Sequence, residues 1–194
     1  MSMHHPLLSA LIGVLWLAWL AYWALAARDS KPERRRETFG SRLSYTLPLI
    51  AGGILLASHG DPRHVLFQHF LPIEDRAIGY WLGVLLVASG LWFSVWARRY
   101  LGGNWSAAVA IKEGHELIRT GPYRWVRHPI YTGLLVALVG TCLAGARWAS
   151  LLALLFLIGG LVRKLTLEER WLAENFPDYA DYRSRVHALF PGIF

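Results

Sequence analysis

Apolar runs long enough to cross a bilayer constrain this chain more than any other feature. Pro6 to Ala27 and Ile78 to Ala97 each supply about twenty residues, which a helix needs to traverse a hydrocarbon core roughly 30 Å thick. Three shorter runs complete the set: Leu43 to Ser58, Ile130 to Ala146 and Trp148 to Val162. In lipid every backbone N–H and C=O must be satisfied within its own segment, so such runs fold as helices. The chain therefore reads as an all-α integral membrane protein with about five transmembrane helices, and its polar, aromatic-interleaved tail from Glu168 to Arg185 reads as short C-terminal interfacial helices. Arg147 separates spans four and five, so they form a tight hairpin, and their shortness calls for tilt or local thinning of the bilayer.

Composition agrees. Hydrophobic residues make up 55% of the 194 residues and charged residues 17%, with a mean hydropathy of +0.33, outside the soluble globular range. The ten Trp and eight Tyr suit headgroup-level belts. Ala24-Leu25-Ala26 imitates a signal-peptide cleavage site, but no Lys or Arg precedes the first run and its core is long and Trp-rich, so it reads as span one. No composition break divides the chain, and residues 1–194 read as one membrane domain with three N-terminal helices in 1–100.

The net charge of +7 lies between the apolar runs rather than on one soluble surface, which argues against nucleic acid as a partner. With five spans, the loop after span one, the loop after span three and the C-terminal tail hold six, six and five of the twenty Lys and Arg; Arg63, Arg76 and Arg147 face the other side. This bias puts the basic side in the cytoplasm and the N-terminus outside. The basic loop Arg28 to Arg42 reads as a solvated segment touching anionic headgroups. The lone Cys142 reads as a small apolar core residue, and His59, His64 and His69, five apart in a Pro-broken loop, do not have metal-ligand spacing. No metal is expected, and no internal repeat supports transport.

One polar stretch, His115 to Gly133, abuts span four and reads HELIRTGPYRWVRHPIYTG. Ionisable groups at a helix mouth, here Arg127 and His128, mark a functional site by default. A second cluster, Arg163-Lys164 and Glu168-Glu169, follows span five, and a tight hairpin makes the two clusters neighbours. Singly, each residue has a plain explanation: Arg127, Arg163 and Lys164 snorkel, Lys164 and Glu168 pair at i, i+4, Pro129 starts a helix, and the tyrosines anchor at the interface.

Together they form a pattern. Leu101-Gly102-x-Asn104-Trp105-Ser106, His115-x-Leu117-Ile118, Gly121-x-Tyr123 and Arg127-His128-Pro129-x-Tyr131, continued by Glu168-Glu169-x-x-Leu172, Phe176, Tyr179, Tyr182, Arg185-Val186 and Pro191, resemble the isoprenylcysteine carboxyl methyltransferase family and its relatives, the membrane phospholipid methyltransferases. The resemblance spans Leu101 to Pro191 and makes residues 101–194 a catalytic half. It implies S-adenosylmethionine as cofactor, held by His115, Glu116, Leu117, Ile118, Tyr123, His128, Pro129, Ile130, Tyr131 and Glu168. It puts the substrate-facing cation on Lys164, where the family usually has Arg, with Arg163 as the alternative; Arg grips a carboxylate bidentately and Lys does not. The segment Phe176-Pro177-Asp178-Tyr179 is one residue shorter than usual.

The expected acceptor is a lipophilic or lipidated molecule entering from the bilayer. An isoprenylcysteine-like carboxylate is already ionised and needs only a cation to position it. A phospholipid amine must first lose a proton, to Glu169 or His128. A small thiol remains an alternative acceptor, and an NADPH-dependent membrane reductase of the sterol reductase type is the alternative of another class. Oligomeric state is not readable.

Overall fold

The computed structural model of the chain describes residues 6–58, 60–72 and 76–192; His59 lies outside them. Its α-helices are α1 (Pro6–Ala26), α2 (Phe39–Ala57), α3 (Arg76–Leu101), α4 (Pro129–Gly145), α5 (Trp148–Asn175) and α6 (Tyr179–Arg185). Helices α1, α2, α3 and α5 are long and apolar enough to cross a membrane, and α4 is a shorter apolar helix. The architecture is the all-α membrane fold that the apolar runs predict.

Glycine decides which helices pair. A Cβ on Gly133 would lie 2.5 Å from the Gly90 carbonyl oxygen, and one on Gly140 would lie 2.6 Å from that of Gly83. The two pairs stand seven residues apart on each helix, two turns, so the α3 and α4 backbones touch twice along one seam. Lipid tails are as apolar as leucine, so membrane helices associate through such close approach rather than through a hydrophobic drive. Helix α5 meets α2 the same way: Cβ atoms on Gly52 and Gly160 would lie 2.9 Å from Ala153 O and 3.0 Å from Tyr45 O. The fold is thus two antiparallel pairs, α3–α4 and α2–α5, joined by the expected tight turn at Ala146-Arg147, where Ala146 takes a left-handed φ of 46°. Helix α1 lies on the first pair through Trp16 and Trp19, whose indole N–H groups donate to Thr141 Oγ1 (3.1 Å) and Ser94 Oγ (2.7 Å).

Two expectations need correction. Span five does not stop at Val162: α5 has 28 residues, about 42 Å of helix against a core of roughly 30 Å. Nothing from Arg163 to Asn175 is Gly or Pro, so Glu168-Glu169 ride on a projecting extension of the span rather than on a separate interfacial helix. Pro177 then forces the break, and α6 alone forms the short terminal helix. The basic loop is exposed, as a solvated segment should be, but it is not irregular throughout: it contains strand β1 (Glu33–Arg36), which pairs antiparallel with β2 (Ala110–Lys112) in the register Glu33↔Lys112, Arg35↔Ile111 and Arg36↔Ala110.

Candidate active site

Where α3, α4 and α5 reach their basic ends, a cleft of about 880 Å³, counted to its open mouth, collects residues from Leu101 to Tyr182. One wall is the segment Asn104–Ile111 with β2, another is His115–Ile118, the base is Tyr123–Tyr131 leading into α4, and the far side is the α5 extension (Glu168, Trp171, Leu172) with Tyr179 and Tyr182.

The base is built from the turn inward. Pro122 and Tyr123 are buried in a short 3-10 turn, and Pro129 starts α4, where its missing N–H is not needed. The stretch is then stapled by the tail: the N–H groups of Arg127 and His128 donate to His187 O (2.8 Å) and Ala188 O (2.9 Å), and Thr132 Oγ1 donates to Leu189 O (2.6 Å). Tyr182 donates its hydroxyl to Tyr123 O at 2.5 Å. Burial pushes the Tyr182 phenol up to about 12 and raises that of Tyr123 as well, so both stay protonated.

The α5 extension presents its two glutamates in different directions. Glu168 faces the cleft and accepts from Tyr131 Oη at 2.6 Å, with Lys164 Nζ at 3.8 Å and His128 Nδ1 at 3.7 Å. Glu169 is buried beneath it, 2.5 Å from Arg127 Nη2 and 3.3 Å from His128 Nε2. The Arg127 guanidinium also donates to Arg183 O (3.2 Å) and to Val186 O. His128 therefore lies between both carboxylates, its ring parallel to that of Tyr131 (6° between planes, centroids 5.6 Å apart). On the opposite wall His115 Nδ1 accepts from Lys112 N–H (3.3 Å) and its ring meets Phe176 edge-on. Burial, with the Lys31 and Lys112 cations nearby, lowers the His115 pKa, which favours a neutral imidazole.

Nine of the residues expected to hold a cofactor line this cleft: His115, Glu116, Leu117, Ile118, Tyr123, His128, Ile130, Tyr131 and Glu168. Pro129 does not; it is the buried first residue of α4. Of the acceptor-side residues, Lys164 is not among those that line the cleft; it stands behind Glu168, donating to Ala107 O at 2.8 Å and lying 5.7 Å from the ring centroids of both Tyr45 and Tyr131. Arg163 is turned away and donates to Ser44 Oγ of α2 at 3.1 Å; neighbouring residues on a helix point about 100° apart, so the two cations cannot serve one spot. Glu169 is taken up by Arg127. The sequence reading left Asn104, Trp105, Leu172, Tyr179 and Tyr182 out of the site although each belongs to the motifs it quoted, and Val109, Ile111 and Trp171 carry no motif at all. Among the described residues, no group of three His, Cys, Asp or Glu side chains is placed to hold a metal ion.

The chain is 33% identical over 116 residues to a protein-S-isoprenylcysteine O-methyltransferase of Saccharomyces cerevisiae, covering 58% of this chain and 48% of that one. It is equally similar, 33% over 116 residues with the same coverage, to a nickel-cobalt-cadmium resistance protein of Alcaligenes xylosoxydans xylosoxydans. A cobalt-zinc-cadmium resistance protein of Cupriavidus metallidurans is 32% identical over 134 residues, 66% of this chain and 57% of that one. The chain thus spans about half the length of the relatives it matches. The phospholipid methyltransferase family model matches residues 78–179, from near the start of α3 through every residue that lines the cleft except Tyr182, and the chain belongs to that family.

Proposed function

We propose that the chain is an integral-membrane methyltransferase that takes its methyl group from S-adenosylmethionine and passes it to the carboxylate of a lipophilic, isoprenylcysteine-like acceptor. The observation that carries this reading is the gathering of four separate segments, 104–111, 115–118, 123–131 and 168–182, around one cleft at the basic ends of apolar helices. The cleft suits the cofactor's chemistry: carboxylates (Glu116, Glu168) for its positive groups, and apolar and aromatic walls (Trp105, Ile118, Ile130, Tyr123) for an adenine ring.

When bound, S-adenosylmethionine supplies a methyl carbon activated by an adjacent sulfonium charge. The protein's part is alignment and exclusion of water. Glu168, fixed by Tyr131 and Lys164, offers its carboxylate to the cationic end of the cofactor, and His115 through Ile118 form the wall behind it. Lys164, caged by two aromatic rings and a carbonyl, positions the acceptor carboxylate. The oxygen that receives the methyl group is already ionised, so no base is required. An amine acceptor would have to shed a proton first; Glu169, already ion-paired to Arg127, is poorly disposed to take it, which leaves His128 as the base that such an acceptor would need. The charge bias puts the cleft on the cytoplasmic side, where a water-soluble cofactor reaches it, while an apolar acceptor arrives through the bilayer.

Calorimetry on purified protein tests the cofactor: S-adenosylhomocysteine binds the wild type, and His128→Ala abolishes binding, while Arg163→Ala, outside the cleft, leaves it unchanged. Wild-type protein that takes up no S-adenosylhomocysteine would refute the reading. A labelled-methyl assay then separates acceptors, and product from ethanolamine lipids but not from a prenyl-cysteine would overturn the carboxylate assignment.

A further inference from the structure

Glu37 lies in the basic loop before α2, far in sequence from the cleft, yet its carboxylate is fully engaged. Oε1 accepts the Val109 N–H at 3.0 Å and the Tyr45 hydroxyl, and Oε2 accepts the Ser41 hydroxyl at 2.8 Å. Its own N–H donates to Val109 O at 3.0 Å, so Glu37 holds Val109 at both backbone groups. Tyr45, Val109 and Leu167 pack together as one buried cluster.

Two residues before Val109 is Ala107, whose carbonyl accepts the Lys164 ammonium at 2.8 Å. Tyr45 supplies one of the two aromatic rings beside that ammonium. Two of the groups that locate Lys164 therefore trace back to one side chain: Glu37 sets the Ala107–Val109 backbone through its clasp and sets the Tyr45 ring through the hydroxyl. The remaining groups, Glu168 and Tyr131, come from α5 and α4.

We infer that Glu37 is a positioning residue for the reaction, aiming the Lys164 ammonium by fixing Ala107 O and the Tyr45 ring. This rests on the proposed role of Lys164, but the geometric link stands on its own. In this arrangement the loop preceding α2 is a working part of the acceptor side of the site. A hydrogen-bonding amide at position 37 would preserve the clasp, because a Gln oxygen still accepts from Val109 N–H and from the Tyr45 hydroxyl; a methyl group would not.

Lys31, Lys112 and Lys164 are the only lysines in the chain, so amine labelling followed by peptide mass spectrometry reads each one. In the full-length protein in lipid nanodiscs, Glu37→Ala should speed labelling of Lys164 by about tenfold, a change comparable to losing one well-defined contact, with Lys31 and Lys112 unchanged and Glu37→Gln behaving as wild type. Unchanged Lys164 labelling, or acceleration at all three lysines, would overturn the inference, the latter because it reports general loosening. The kinetic arm uses an N-acetylated S-prenyl-cysteine: Glu37→Ala should raise KM for this acceptor about tenfold and leave KM for S-adenosylmethionine within about twofold. Parallel changes in both constants would also overturn it. Wild-type protein inactive on the prenyl-cysteine would count against the proposed acceptor, and the labelling pattern would still decide the role of Glu37.

Discussion

His115 and Glu169 show how burial and charge give single residues opposite duties. The His115 pKa is lowered by burial first and by the Lys31 and Lys112 cations second. As pH falls, the unfolded chain therefore takes up a proton at this position before the folded chain does. The contribution of His115 is fully present above its ordinary value of 6.5 and is lost as pH falls below it. Thermal scans of the wild type should show a midpoint that drops between about pH 7 and pH 5, and His115→Gln should show a shallower drop over that interval; identical slopes would contradict the argument. Glu169 holds Arg127, with side-chain exposures of 9% and 7%. Breaking such a pair strands a buried charge, at about 3–5 kcal/mol, so Glu169→Gln should lower the unfolding midpoint sharply. Glu168→Gln should leave the midpoint nearly in place and weaken S-adenosylhomocysteine binding. If the two variants behaved alike in both assays, the division of labour between the glutamates would be wrong.

Among elements, the α3–α4 seam carries the most specific requirement. Gly133→Ala places a methyl 2.5 Å from the Gly90 carbonyl oxygen, and because the obstacle is backbone the helices must part. The expected loss is about 1–3 kcal/mol from overpacking, larger for Gly133→Leu. Gly159→Ala is the matched control on α5: nothing lies within 4 Å of the added carbon, and the midpoint should hold or rise, Ala being the better helix former by up to about 1 kcal/mol. A larger loss at Gly159 than at Gly133 would remove the argument. These pairings were not legible in the sequence. Gly83, Gly90, Gly133 and Gly140 look like filler inside apolar runs, and their seven-residue spacing gains meaning only when two helices face each other. Strands β1 and β2, four and three residues long, are too short for periodicity to reveal. The extension of α5 was readable in principle, from the absence of Gly and Pro before Pro177, but the change from apolar to charged residues at Arg163 marks where the lipid ends, not where the helix ends.

Taken whole, the molecule follows its sequence where composition speaks for long segments. Apolar length identified the helices, and the motif from His115 to Gly133 led to the cleft because local chemistry at a helix mouth is written in consecutive residues. The contribution of the basic loop was hidden, since Lys31 and Glu37 act in part on backbone groups that no side-chain motif records: Lys31 Nζ donates to Gly114 O at 2.8 Å, besides the Asn104 side-chain oxygen Oδ1 at 3.0 Å. The paired backbones of α3 and α4 have a bearing on motion as well. Where main chain rests on main chain, there is no side chain to rotate aside, so the α3–α4 seam is a fixed post. Between α4 and α5 the contact is made instead by leucine side chains, Leu135, Leu138, Leu157 and Leu161 among them, so that is the side on which this fold has give, and the side by which the acceptor proposed above would enter.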